Sequence, residues 1–177
     1  MDRLWSPWRL PYILSGGEAR GCIFCEALAG PSAVSEDAPF DQSSLIVFRG
    51  KTCYVILNLY PYNNGHLLVV PNRHIAALAS ARSEELSELI ELTRRSEIAL
   101  TEAYRPHGMN MGINLGKPGG AGVLDHVHMH VVPRWSGDTN FMTVVGETRV
   151  LAEELPQTAG KLQPIFARLA ADAAAVS

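Results

Sequence analysis

The sequence predicts an α+β domain, a meander of about five antiparallel strands backed by one long helix. Three observations carry this expectation. Short apolar and β-branched runs recur between turn-forming clusters at Leu45 to Phe48, Thr52 to Leu57 and His66 to Val70. One stretch, Ser83 to Tyr104, is long and apolar at helical spacing. From Asp125 to Trp135, histidine and apolar side chains alternate with the period of a half-buried strand.

Length and composition narrow the class. A chain of 177 residues suits one domain over 1–177, with an arm at 1–20, a core at 21–142 and a helical extension at 143–177. It is 47% hydrophobic and 19% charged with a net charge of −3, which argues against nucleic acid as a bulk partner. No apolar run is long enough to span a membrane, and the amino terminus lacks the apolar core of a secretory signal, so the expected location is cytoplasmic. Three cysteines are no disulfide framework, and a reducing compartment turns attention to metal binding.

Taken in order, residues 1–20 hold Trp5, Trp8, two prolines and Gly16-Gly17, which predicts an irregular arm packed on the body or on a partner subunit. Cys22-Ile23-Phe24-Cys25 leads into a short helix ending before Gly30-Pro31. Such a CxxC is a redox pair, half of a zinc site or a coincidence. No strand precedes it, which disfavours the redox use, and tetrahedral zinc needs two more ligands, for which His74 and His126 are candidates. After a loop at 32–44 come two strands joined by Arg49-Gly50-Lys51, with Cys53 expected as a buried thiol. Asn58 to Gly65 is dense in turn formers, and the strand from His66 should end at Pro71.

The long helix takes Ser83 as N-cap, with Glu84 and Glu85 at the positive end of its dipole. Its apolar stripe comprises Leu86, Leu89, Ile90, Leu92, Ala99, Leu100, Ala103 and Tyr104. Asn110 to Leu115 reads as a strand, and Gly116 to Gly122 as a glycine-rich loop whose N–H groups can approach phosphate oxygens. Beyond Thr143, helices are expected at Glu147 to Leu155 and from about Lys161 to Ala175, for packing or dimer contact.

The chemistry is expected at His126, His128 and His130. Extended geometry would set the three imidazoles on one face, roughly 6.5–7 Å apart, with Val127, Met129 and Val131 facing the core. A lone strand histidine is usually a satisfied polar group, but three in alternation each need a partner for no structural gain. They can ligate a metal that activates water, or one neutral imidazole can attack an electrophile while its neighbours neutralise charge.

The pattern His126-Val127-His128-Met129-His130-Val131-Val132 closely resembles the signature of the histidine triad (HIT) superfamily of nucleotide hydrolases and nucleotidyl transferases. The resemblance implies a set of roles. The middle histidine, His128, is the nucleophile that forms a covalent nucleotidyl intermediate, assisted by His130 and by His66 in Gly65-His66. Asn58, eight positions before His66, contacts the ribose; Asn114 and the loop at Gly120, Ala121, Gly122 and Val123 complete the substrate site. By the same resemblance, Cys22, Cys25, His74 and His126 match the four ligands of a structural zinc, and a homodimer with a continuous sheet is the expected assembly. Many HIT hydrolases have a glutamine four positions before the first triad histidine, where this chain has Gly122. Gly120-Ala121-Gly122, Pro133-Arg134-Trp135, Gly137 to Phe141 and the Trp5 to Arg9 element are more similar to the diadenosine tetraphosphate phosphorylase branch. The implied substrate is a dinucleoside polyphosphate, with inorganic phosphate favoured over water as acceptor. A phosphoramidate or dinucleoside polyphosphate hydrolase, a metal-activated hydrolase and a non-catalytic nucleotide-binding protein are the alternatives.

Overall fold

The apolar runs on either side of Gly50 and of the Asn58 to Gly65 turn do form strands, each within a residue of its expected bounds. They are β1 (Ile46–Arg49), β2 (Cys53–Leu57) and β3 (Leu67–Pro71). The structure, a computed structural model, describes residues 21–30, 45–138 and 152–176. The Trp5 to Arg9 arm, the 32–44 loop, Thr139 to Phe141 and residues 147–151 lie outside the described residues. The expected short helix before Gly30 is present as α1 (Ile23–Ala29), but it begins inside the CxxC, with Cys22 as its N-cap, and α2 (Ser83–Tyr104) has the predicted bounds.

The sheet has five antiparallel strands, including β4 (Gly108–Ile113) and β5 (Met129–Arg134), in the order β1-β2-β3-β5-β4. The expected meander therefore holds only through β3. Helix α2 then carries the chain across, β4 takes the outer edge, and β5 slots between β3 and β4. Register on β3 sets Leu68 opposite His130 and Val69 opposite Met129. That register brings His66, just before β3, alongside the end of the triad. The strand ends at Pro71 as expected; that residue still pairs with Cys53, and its carbonyl serves a side chain of the triad segment.

Every residue of β2 and β3 is buried, the pattern of central strands covered on both faces. Tyr54, Leu57, Leu67, Leu92, Leu100 and Phe166 are among the largest fully enclosed side chains, and they join β2, β3, α2 and the last helix. The stripe on α2 is narrower than expected: Leu89, Leu92, Ala99 and Leu100 are buried, whereas Leu86 and Ile90 are exposed. Glu85, Thr93 and Ser96 take the inward positions instead, the last two bonding the carbonyls of Leu89 and Leu92. Nor is Ser83 the cap. The N-cap is Arg82, whose backbone N–H donates to Glu85 Oε2 at 2.7 Å.

Glu88, on the same helix, grips the β1–β2 turn. Its carboxylate accepts the N–H groups of Lys51 at 2.9 Å and Cys53 at 3.0 Å, the Thr52 hydroxyl at 2.6 Å, and the Thr52 N–H. A Cβ at Gly50 would stand 2.5 Å from that carboxylate and 2.7 Å from the Cys53 carbonyl, so the turn admits only glycine there. Burial pushes the Glu88 carboxyl upward, but the Thr52 hydroxyl and the three N–H donors outweigh it and hold the group below its ordinary value.

The carboxy-terminal helix α3 runs over Leu155–Val176, earlier than the expected Lys161. Residues 152–154 are not helical, contrary to the expected helix ending at Leu155. The reason is local: Glu153 is drawn off to Tyr104 Oη at 2.6 Å and Thr158 Oγ1 at 3.1 Å, and it pairs with Lys161. Pro156 then falls in the first turn, where its missing N–H costs nothing.

Candidate active site and metal cluster

Of the three histidines expected on one strand, only His130 lies within the paired ladder. β5 begins at Met129, so His126, Val127 and His128 precede the ladder, and the main chain there is held by Val127 N–H donating to the Ile75 carbonyl at 2.7 Å. His126 and His128 are themselves buried, at 0% and 4% exposure, so neither stands on a polar face. The three rings part into two groups.

His126 turns toward α1. Its Nδ1 lies 3.3 Å from Cys22 Sγ and 3.7 Å from Cys25 Sγ, and His74 Nδ1 lies 3.5 Å from Cys25 Sγ. The ligand atoms of Cys22, Cys25, His74 and His126 all fall within 4.8 Å of one another. A tetrahedral zinc with bonds of about 2.0–2.3 Å has ligand-to-ligand edges of roughly 3.3–3.8 Å, so the cluster has the dimensions to enclose one. The Pro71 carbonyl accepts His126 Nε2–H at 2.8 Å, which leaves Nδ1 as the lone-pair nitrogen facing the sulfurs. Burial, followed by Cys22 and Glu26, raises the Cys25 thiol above its ordinary value, so a thiolate there wants a cation beside it.

In the second group, His130 meets His66, and His128 lies against His130. His128 Nδ1–H donates to the His126 carbonyl at 2.8 Å, so its lone pair is on Nε2. Burial lowers the ionisation of His128, with the His126 carbonyl pulling weakly the other way, and the neutral ring is favoured. The His128 and His130 rings are 4.9 Å apart, edge to face. His66 is fully buried, and its Nδ1 accepts the Tyr62 N–H at 3.1 Å and an Asn58 Nδ2–H at 3.3 Å. The proton of neutral His66 is therefore on Nε2, where it is donated to His130 Nδ1 at 3.0 Å. That in turn fixes the His130 proton on Nε2. Two rings with opposite requirements thus stand side by side: His128 with a nucleophilic nitrogen, His130 with an N–H donor.

Asn58, expected near the ribose, also accepts the Tyr60 N–H at 3.0 Å, so its amide both shapes the turn and holds His66. Asn114 reaches across the glycine-rich loop to the Gly120 carbonyl at 3.4 Å. The N–H groups of Gly120 and Ala121 close that loop onto Lys117 and Gly116, leaving those of Gly122 and Val123 without a backbone acceptor among the described residues. Gly119 packs against the Leu115 main chain, where a Cβ would stand 2.3 Å from the carbonyl oxygen. Asp125, next to the buried His126, is itself exposed.

Sequence reasoning missed three features. Phe24, inside the CxxC, packs its ring on both His126 at 5.5 Å and His128 at 4.9 Å. Tyr62 stacks on His66 at 4.8 Å. Asn63 ties the β2–β3 turn to the end of β5 by donating to Asp138 Oδ2 at 2.7 Å and the Pro133 carbonyl at 3.1 Å, while Arg134 Nε donates to the same Asp138 oxygen at 2.6 Å. An aromatic between two cysteines reads only as apolar, and a turn asparagine only as a turn former.

Comparison with known proteins agrees with this geometry. The HIT domain family model matches residues 40–137. The AP-4-A phosphorylase of Mycobacterium tuberculosis is 39% identical over 170 residues, covering 95% of this chain and 86% of that protein. The asymmetrical bis(5'-nucleosyl)-tetraphosphatase of Schizosaccharomyces pombe is 28% identical over 127 residues, covering 72% and 66%. Among solved structures, a zinc-bound histidine triad family protein from Mycobacterium smegmatis superimposes with a TM-score of 0.65 at 25% identity, over 88% of this chain and 99% of that one.

Proposed function

This chain belongs to the HIT domain family, and from that premise we propose that it is an enzyme transferring a nucleotidyl group from a dinucleoside polyphosphate, of the diadenosine tetraphosphate kind, through a covalent histidine. One observation carries the reading: His128 has its Nδ1–H committed to a carbonyl and its Nε2 lone pair available, 4.9 Å from a ring whose proton is held on Nε2. His128 Nε2 attacks the α-phosphorus, and the bond to the bridging oxygen breaks. The electron pair leaves on that oxygen with the remaining nucleoside polyphosphate, and His130 Nε2–H supplies its hydrogen bond. An acceptor oxygen then attacks the same phosphorus and the P–N bond returns its pair to His128. With inorganic phosphate as acceptor, a dinucleoside tetraphosphate yields a nucleoside triphosphate and a nucleoside diphosphate. With water, the second product is the monophosphate.

The phosphate acceptor is favoured by the 39% identity to an AP-4-A phosphorylase and by Gly122 in place of a glutamine that would hold water. The N–H groups of Gly122 and Val123 are the loop donors we assign to the phosphate chain, with Asn58 and Asn114 toward the ribose or phosphate. Cys22, Cys25, His74 and His126 would hold a zinc ion closed by four protein ligands, which supplies a structural pin rather than a water activator. His126 links the two groups: its ring belongs to the metal cluster while its carbonyl sets the His128 tautomer. As partner we propose a second copy paired through the outer edge of β4, whose Met111 is 43% exposed, with Leu115 two residues past the strand 48% exposed.

Product analysis tests the reaction. With diadenosine tetraphosphate, ADP and ATP should form only when phosphate is present, and His128→Ala should lower kcat by about 10³-fold or more with nucleotide binding retained. AMP and ATP formed at full rate without phosphate would make it a hydrolase. A His128→Ala variant of ordinary activity would remove the covalent mechanism.

A further inference from the structure

Two features converge on the His66–His130 pair, and both come from Tyr62, in the turn Tyr60-Pro61-Tyr62-Asn63-Asn64-Gly65. Its backbone N–H donates to His66 Nδ1 at 3.1 Å. Its ring lies nearly parallel to both imidazoles, 4.8 Å and 26° from His66, and 6.1 Å and 22° from His130. We propose that Tyr62 is a positioning residue that locks the His66–His130 pair in a single tautomeric state, with the outward proton on His130 Nε2. This inference rests on the reading of His130 as hydrogen-bond donor to the leaving oxygen.

Two coupled neutral imidazoles have two proton arrangements open to them. The pair can pass its protons in either direction: His66 Nε2–H to His130 Nδ1, or His130 Nδ1–H to His66 Nε2. The second arrangement puts a proton on His66 Nδ1 and turns His130 Nε2 into a lone pair, useless to an oxyanion. A backbone N–H aimed at His66 Nδ1 disfavours that arrangement, because a protonated Nδ1 has no lone pair to accept it and would face the N–H donor to donor. Asn58 Nδ2 at 3.3 Å acts in the same sense, its amide oriented by the Tyr60 N–H that Oδ1 accepts. The aromatic ring supplies what the N–H alone lacks, a flat surface holding the imidazole plane where Nδ1 meets that donor. The turn itself is anchored, since Asn63 beside Tyr62 is tied to Asp138 and the Pro133 carbonyl.

The test combines Tyr62→Phe and Tyr62→Leu in the full chain with two readouts. The first is the nitrogen chemical shifts of histidine-labelled protein, which report imidazole tautomers without any substrate. The second is kcat and KM with diadenosine tetraphosphate and phosphate. Tyr62→Phe should keep one tautomer for each ring and kcat within about 2-fold, because plane and N–H both survive. Tyr62→Leu should show mixed tautomers at His66 and His130 and lose about 10-fold or more in kcat, with KM within about 3-fold. The proposal is overturned if Tyr62→Leu keeps single tautomers, or if KM rises while kcat holds, which would make the ring a substrate-contacting wall. Because the tautomer readout needs no turnover, failure of the proposed reaction would show as inactivity of the parent protein with its tautomers fixed.

Discussion

His126 occupies two networks at once, and its neighbours show why single residues here carry more than their side chains. The ring sits with two sulfurs and with the Pro71 carbonyl, while its own carbonyl fixes the His128 proton. Phe24 covers both rings from within the CxxC. Replacing Cys22 by serine should therefore lower bound zinc and the melting temperature; unchanged metal content in the purified variant would remove the proposed ligand set. At the start of β2, Glu88 is the residue whose loss frees the most hydrogen-bonding groups. Glu88→Ala leaves three turn N–H groups to solvent and should cost roughly 1–3 kcal/mol in chemical denaturation, the partly exposed turn moderating the loss. A change within about 0.5 kcal/mol would show that the clamp is incidental. The histidines and cysteines were legible residue by residue because their types are rare and their spacing regular. Glu88 was not, since one glutamate among several on a helix carries no mark of the turn it meets.

At the scale of the element, α2 was legible in its bounds and misread in its inward face. Helical periodicity ranks Leu86 and Ile90 with Leu89, but the chain turns Glu85 inward to meet Arg73 at 2.8–2.9 Å and the Arg82 N–H at 2.7 Å. Arg73 first, then the Arg82 N–H, lower the Glu85 carboxyl from 4.5 to about 2. The folded group is thus ionised where the unfolded one would already bind a proton. Its stabilisation is fully present above about pH 4.5 and is lost as the pH falls through about 2. With the Arg73 head half in solvent, the contribution is roughly 1–3 kcal/mol. Glu85→Gln should accordingly be less stable than the parent at pH 6, with the gap closing toward pH 2. A gap that stays constant across that range would assign the loss to packing instead. The triad strand was misread in the opposite sense, its alternation extended four residues too far, because period two cannot distinguish a paired strand from an extended approach to one.

Across the whole molecule, the five antiparallel strands and the long helix were readable, but their order was not. Nothing local in Asn110 to Leu115 says that this strand passes outside the one that comes after it. Yet that order is what seats the triad segment between β3 and β4, with His66 beside it. It also leaves β4 at an open edge among the described residues, the basis for the proposed dimer. Light scattering across a dilution series should give twice the 19.3 kDa chain mass, and a β4 edge proline such as Met111→Pro should shift it to one; an unaffected mass would put the interface elsewhere. Within a HIT-family chain so arranged, all the proposed chemistry passes through one nitrogen, His128 Nε2. Mixing the protein with diadenosine tetraphosphate without phosphate, quenching within a turnover and mapping the peptides measures it most directly. An adenylyl group should be found on His128, discharged as ADP when phosphate is added before the quench; turnover with no adduct, or an adduct on another residue, would contradict the covalent mechanism.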